Sequence, residues 1–238
     1  MCSRASTVRW PAAPKPIPRW YRSSRAARWL EVTLSYLALG DSYTIGEGVA
    51  PADRWPMQLA TALQEAGHVV AEPQIIATTG WTTDELEAGI DEAAPQGPFG
   101  LVSLLIGVND QYRGRSVDAY RPAFSALLQR ALGFAGQQRR RVLVLSIPDW
   151  GVTPFARDHN RDPAQIAREL DAYNAAAQAI CAEHHVAFVD ITAISRERGA
   201  EPAMLVEDGL HPSAAMYTEW TRRAFPVVRT QLDDEAAR

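Results

Sequence analysis

From Leu34 onward the chain alternates two apolar patterns, short runs on consecutive positions and longer stretches in which apolar residues recur every three or four. The short runs fall at 34–39, 74–77, 101–106, 141–147 and 187–190, and small or polar residues close them. Consecutive apolar positions are what a parallel strand needs when helices cover both faces of its sheet. The longer stretches predict helices. Asp53 and Pro56 open one that runs to about residue 66, and Thr82-Thr83-Asp84-Glu85 has the form of a capping box for another, 82–93. Helices over 117–132 and 163–183 follow, the second with Asp162 as N-cap and Pro163 in its first turn, and a last one covers 213–229. Strands alternating with helices predict a three-layer α/β/α domain built on a five-stranded parallel sheet.

The first 31 residues break this pattern. Arg4, Arg9, Lys15, Arg19, Arg22, Arg25 and Arg28 all precede the first acid, Glu31, and prolines stand at 11, 14, 16 and 18. Such dense prolines oppose the amphipathic helix of a transit peptide, so residues 1–31 are expected to be a disordered basic extension that folding and activity can dispense with. The folded domain is then 32–238. The chain lacks an apolar run of the length a secretory signal or a spanning helix requires, and this predicts a cytoplasmic protein without stable membrane insertion. A net charge of −4 gives no general attraction to phosphate backbones, which argues against nucleic acid as a partner. With only Cys2 and Cys181, a disulfide framework is not expected.

Ligands of open α/β sheets bind beyond the carboxyl ends of the strands, so the residues that close each strand carry the functional information. The first strand runs into Gly40-Asp41-Ser42, the second into Thr79-Gly80-Trp81, and the third into Gly107-Val108-Asn109-Asp110. Taken alone, Ser42 reads most simply as a capping or loop hydroxyl. It becomes a candidate nucleophile only if a base accepts its proton and an acid fixes the tautomer of that base. Asp208-Gly209-Leu210-His211 offers both groups in one short loop, although a generic Asp-x-x-His is more often a cap beside a surface histidine. Gly80 and Asn109 are candidate N–H donors for a developing oxyanion, and each has a bland alternative as turn glycine or strand-end cap.

Ser42 within Gly-Asp-Ser, Gly80, Asn109 within Gly-x-Asn-Asp, and Asp208-x-x-His211 occur in this order on successive β–α units. Together they resemble the sequence blocks of the GDSL, or SGNH, hydrolase family, over about residues 36–220. The resemblance implies a flavodoxin-like hydrolase fold and a serine esterase or acylhydrolase working through an acyl-enzyme. It implies Ser42 as nucleophile, Asp208 and His211 as the rest of a triad, and Ser42, Gly80 and Asn109 as the oxyanion hole. It implies no cofactor. Tyr43 stands where the family name has leucine, a departure that bears on pocket shape.

Tyr43, Trp81, Tyr112, Trp150 and Phe155 follow strand ends on the same rim and predict an aromatic-walled cleft for small acyl or aryl esters. Acetylated carbohydrate is the alternative substrate, because such rings also stack on sugars. A reading from another class is a non-catalytic nucleotide-binding module, suggested by Gly40, Gly46 and Gly48 after the first strand. It lacks both Gly-x-Gly-x-x-Gly and Gly-Lys-Ser/Thr. Zinc-like spacing is likewise missing, so no catalytic metal is expected.

Overall fold

The computed structural model describes residues 33–236; the extension expected at 1–31 lies outside the described residues. Five parallel strands form one sheet: β1 (Tyr36–Gly40), β2 (Gln74–Ala77), β3 (Leu101–Leu105), β4 (Val142–Leu145) and β5 (Ala187–Val189). Their order is β2-β1-β3-β4-β5, the doubly wound flavodoxin-like arrangement. Register runs from Leu37 opposite Gln74 on one side of β1 and Tyr36 opposite Leu101 on the other. Every residue of β1, β3 and β4 is buried, as consecutive apolar positions require.

Nine α-helices are found among the described residues: α1 (Ser42–Ile45), α2 (Trp55–Glu65), α3 (Thr83–Ala93), α4 (Val108–Tyr112), α5 (Val117–Phe134), α6 (Pro154–Asp158), α7 (Pro163–Glu183), α8 (Thr192–Arg198) and α9 (Ala214–Ala236). Contacts sort the long ones into two layers. α2 packs on α9, whereas α3 packs on α5 and α5 on α7. Right-handed crossovers explain the division, because the connection leaving β1 for β2 and those that return across β3, β4 and β5 must lie on opposite faces. The five predicted long helices and five predicted strands all occur, with shifted ends. Leu34 does not belong to β1; it makes an isolated bridge to Val70. Arg141 lies in a 3-10 turn before β4.

Two expected helix starts behave differently. At α3 the Glu85 carboxylate reaches back to the Thr82 backbone N–H at 2.8 Å, as a capping box should. At α2 the expectation needs correction: Asp53 ends a 3-10 turn, and the helix opens at Trp55 behind Arg54, which makes no side-chain cap. Pro56 fits the first turn because the N–H it lacks would have no partner there. The order reverses between β2-β1 and β3-β4-β5, so the crevice of the fold lies between the carboxyl ends of β1 and β3.

Candidate active site

β1 ends at Gly40 and α1 starts two residues later, which puts Ser42 in the first turn of a helix directly above the crevice. Gly40 makes this turn possible. A Cβ there would fall 2.2 Å from Thr44 Oγ1 and 2.5 Å from the Leu105 carbonyl, too close for any other residue. Asp41 caps α1 by accepting the Tyr43 N–H at 3.0 Å through Oδ1, while its buried Oδ2 has no partner. Burial, a backbone hydrogen bond acting against it, and the nearby Asp110 charge leave the Asp41 carboxyl pushed up to about 7.

β3 leads into α4 in the same way, and Asn109 is in its first turn. Asn109 Nδ2 donates to the Trp81 carbonyl at 2.9 Å, which ties the end of β3 to the connection between β2 and α3. Next to it, buried Asp110 accepts from the Thr83 N–H at 3.0 Å and the Thr83 hydroxyl at 2.8 Å, and pairs with Arg115 at 3.1 Å. Burial raises the Asp110 carboxyl, and these donors only partly offset the effect. Gly80 sits in that connection at φ +87°, a left-handed backbone that favours glycine. Neither the Gly80 nor the Ser42 backbone N–H has an acceptor among the described residues.

Asp208 and His211 lie on a loop closed by the bridge between Leu205 and Pro212 and by the Val206 N–H donating to the His211 carbonyl at 2.9 Å. Asp208 Oδ1 accepts from the N–H groups of Leu210 and His211, at 2.8 and 2.9 Å, and Oδ2 meets His211 Nδ1 at 2.6 Å. Burial alone would raise the Asp208 carboxyl, but the His211 ring and these two N–H groups outweigh it and hold it below the ordinary carboxylate range. His211 Nε2 has no partner among the described residues. The Phe155 N–H docks the loop by donating to the Gly209 carbonyl at 3.1 Å.

Ser42, Gly80, Asn109 and His211 all line one cavity of about 200 Å³, with Tyr43, Tyr112, Trp150 and Phe155 among its walls. Thr79, Val108 and Leu210, which sequence patterns did not single out, line it too. Trp81 does not, and here the expectation is corrected. The residue stands just before the cap of α3, and its indole folds onto that helix so closely that a Cβ on Gly89 would fall 2.2 Å from Trp81 Cη2. Its contribution to the site is the carbonyl that holds Asn109. Tyr43 is buried and meets the His211 ring edge-on at a centroid distance of 6.0 Å, so it packs the histidine as much as it shapes the cavity. Trp150 is fixed by its Nε1–H donating to Gln111 Oε1 at 2.8 Å, a partner no motif announced. Of the other histidines, His68 lies 3.4 Å from Asp233 and His184 contacts Gln129, both away from the cavity. Among the described residues no three His, Cys, Asp or Glu side chains cluster as metal ligands would, and no helix is long and apolar enough to cross a membrane.

A family model described as the GDSL-like lipase/acylhydrolase family matches residues 38–218, most of the chain and every residue of this site. The chain belongs to the GDSL-like lipase/acylhydrolase family. Solved structures agree in fold. TesA superposes with a TM-score of 0.65 at 20% identity, covering 83% of this chain and 99% of TesA. A lipase/acylhydrolase from Enterococcus faecalis gives 0.61 at 20%, with coverage of 84% and 96%. Axe2, an acetylxylan esterase from Geobacillus stearothermophilus, gives 0.58 at 21%, with coverage of 83% and 96%. No curated protein matches the chain in sequence. As a GDSL-like protein this chain is a hydrolase, with its family motifs gathered at the β1/β3 crevice.

Proposed function

We propose that the chain is a serine esterase for small acyl or aryl esters, with Ser42 as nucleophile, His211 as base and Asp208 as the group that orients the base. The observation that carries this reading is the 2.6 Å contact between Asp208 and His211 Nδ1, which leaves Nε2 unpartnered in the cavity that Ser42 also lines. On this reading Nε2 takes the Ser42 hydroxyl proton as Oγ attacks the ester carbonyl, then returns it to the departing alcohol. Water repeats the sequence on the acyl-enzyme. The oxyanion meets the Ser42 and Gly80 N–H groups and the Asn109 carboxamide, donors that add no charge of their own. No cofactor enters the reaction.

A cavity of about 200 Å³ is smaller than the roughly 300–1,000 Å³ of sites for drug-sized ligands, which favours short acyl groups over lipid chains. Tyr112 is 45% exposed beside the cavity and offers a ring face to a sugar, so acetylated carbohydrate is a second reading. Rates over 4-nitrophenyl esters of increasing chain length, set beside acetate release from acetylated xylan, separate the two. Ser42→Ala and His211→Ala are each expected to abolish nearly all turnover and, for Ser42→Ala, fluorophosphonate labelling as well. The double variant should be hardly worse than either single one, because nucleophile and base act as one unit. Additive losses would remove His211 from that unit.

A further inference from the structure

Against two rings of the aromatic wall, outside the residues that line the cavity itself, stands an arginine with no counter-charge among the described residues. The Arg161 guanidinium lies 5.0 Å from the ring centre of Tyr112 and 5.1 Å from that of Trp150, and these two rings meet edge to face at 5.4 Å. Both rings line the cavity. Three arginines close by in sequence or space are paired: Arg113 with Glu85, Arg115 with Asp84 and Asp110, and Arg157 with Asp158. Asp162, next in sequence to Arg161, instead accepts the Ala164 N–H and caps α7. Among the described residues Arg161 therefore has neither a carboxylate partner nor a hydrogen-bond acceptor for its guanidinium. Two π-faces hold the group in place, yet they leave its fork of N–H donors open to a planar anion.

We propose that Arg161 selects esters whose acyl or alcohol part carries an anionic oxygen group, one long enough for that group to extend past the Tyr112–Trp150 rings and out of the cavity to the guanidinium. The proposal rests on the serine esterase reading of the same cavity. Arg161 does not touch the reacting atoms; it binds the charged end and so sets which ester is used. A half-exposed cation facing a carboxylate is worth a modest amount in water, so the expected discrimination is about fivefold or more and shrinks as salt is added.

The test uses the full chain and two substrate pairs matched in shape. In one pair the charge is on the alcohol side, 4-acetoxybenzoate against its methyl ester; in the other it is on the acyl side, the mono-4-nitrophenyl ester of adipic acid against 4-nitrophenyl hexanoate. In one of these pairs the charged-to-neutral ratio of kcat/KM is expected to fall about fivefold in Arg161→Gln, to hold in Arg161→Lys and to drop further in Arg161→Glu. If Arg161→Gln lowers charged and neutral members equally, Arg161 only packs the rings and the proposal is overturned. A ratio identical in all four proteins overturns it as well. Hydrolysis of the neutral esters and fluorophosphonate labelling of Ser42 report separately on the esterase reading. A normal neutral rate with a flat ratio sinks only the role of Arg161, whereas no hydrolysis and no labelling sinks both.

Discussion

Asn109 has two amide hydrogens and, on the proposed mechanism, two tasks. One hydrogen is taken by the Trp81 carbonyl at 2.9 Å; the other is free to meet an oxyanion in the cavity. Asn109→Ala is expected to lower kcat by roughly 10²–10³ with little change in KM, because the free hydrogen matters most in the transition state. It should also lower stability by about 1 kcal/mol, since the Trp81 carbonyl loses its donor. Turnover measured well below the melting temperature keeps the two effects apart, and unchanged kcat there would leave Asn109 as a tether only. Asp41 allows a second test through pH. Its folded pKa of about 7 stands above the ordinary 3.8, so between these values the folded chain holds a proton that the unfolded chain has released. Raising the pH through that window therefore removes stability. The stability of the wild type relative to Asp41→Asn should fall as pH rises from about 4 to about 7 and then level off, in urea melts at fixed salt. A difference that stays flat with pH would mean Asp41 is already ionised in the folded protein.

Among the elements, α3 shows two effects of opposite sign at one residue. Alanine normally replaces an interior helical glycine with a gain of about 1 kcal/mol. At Gly89, however, the new Cβ would stand 2.2, 2.6 and 3.0 Å from three atoms of the Trp81 indole. Crowding of this kind costs about 1–3 kcal/mol, so Gly89→Ala should destabilise the protein, and combining it with Trp81→Ala should restore the helical gain. A Gly89→Ala single variant that melts higher than wild type would show that the indole moves aside freely. The same residues explain why sequence patterns misplaced Trp81. Periodicity locates the start of α3 through Thr82 and Glu85, but it does not say whether the side chain just before that start turns to the cavity or back onto the helix. Helices α1, α4, α6 and α8 escaped prediction for a related reason: at four to seven residues they are too short to display a period. Two of them, α1 and α4, carry Ser42 and Asn109, so the motif residues were legible while the turns that aim them were not. Asp110 and Gln111 fix the site through hydrogen bonds across the chain to Thr83 and Trp150, links that no local pattern records.

Over the whole molecule, the three central strands β1, β3 and β4 were readable because burial on both faces makes them largely apolar runs, while the edge strands β2 and β5 are only partly buried and were marked by shorter apolar runs. Their order was implied by the family resemblance and is realised as β2-β1-β3-β4-β5, which sets the Ser42 turn after β1 beside the Asn109 turn after β3. The cavity walls depend on packing between distant segments and were legible only in part: Tyr43, Tyr112, Trp150 and Phe155 reach it, Trp81 does not, and Thr79 and Leu210 were not foreseen. The loop holding Asp208 and His211 is closed by its own short-range bonds, yet it meets the cavity only through docking against residues such as Phe155 and Tyr43. Its two members are close in sequence, whereas the Ser42 that the proposed mechanism pairs with them is encoded far from them, a contact of high sequence separation. A sheet formed without this loop would, on the proposed mechanism, hold Ser42 with no base to activate it. Turnover, on the proposed mechanism, reports the docking of that loop and not the formation of the sheet.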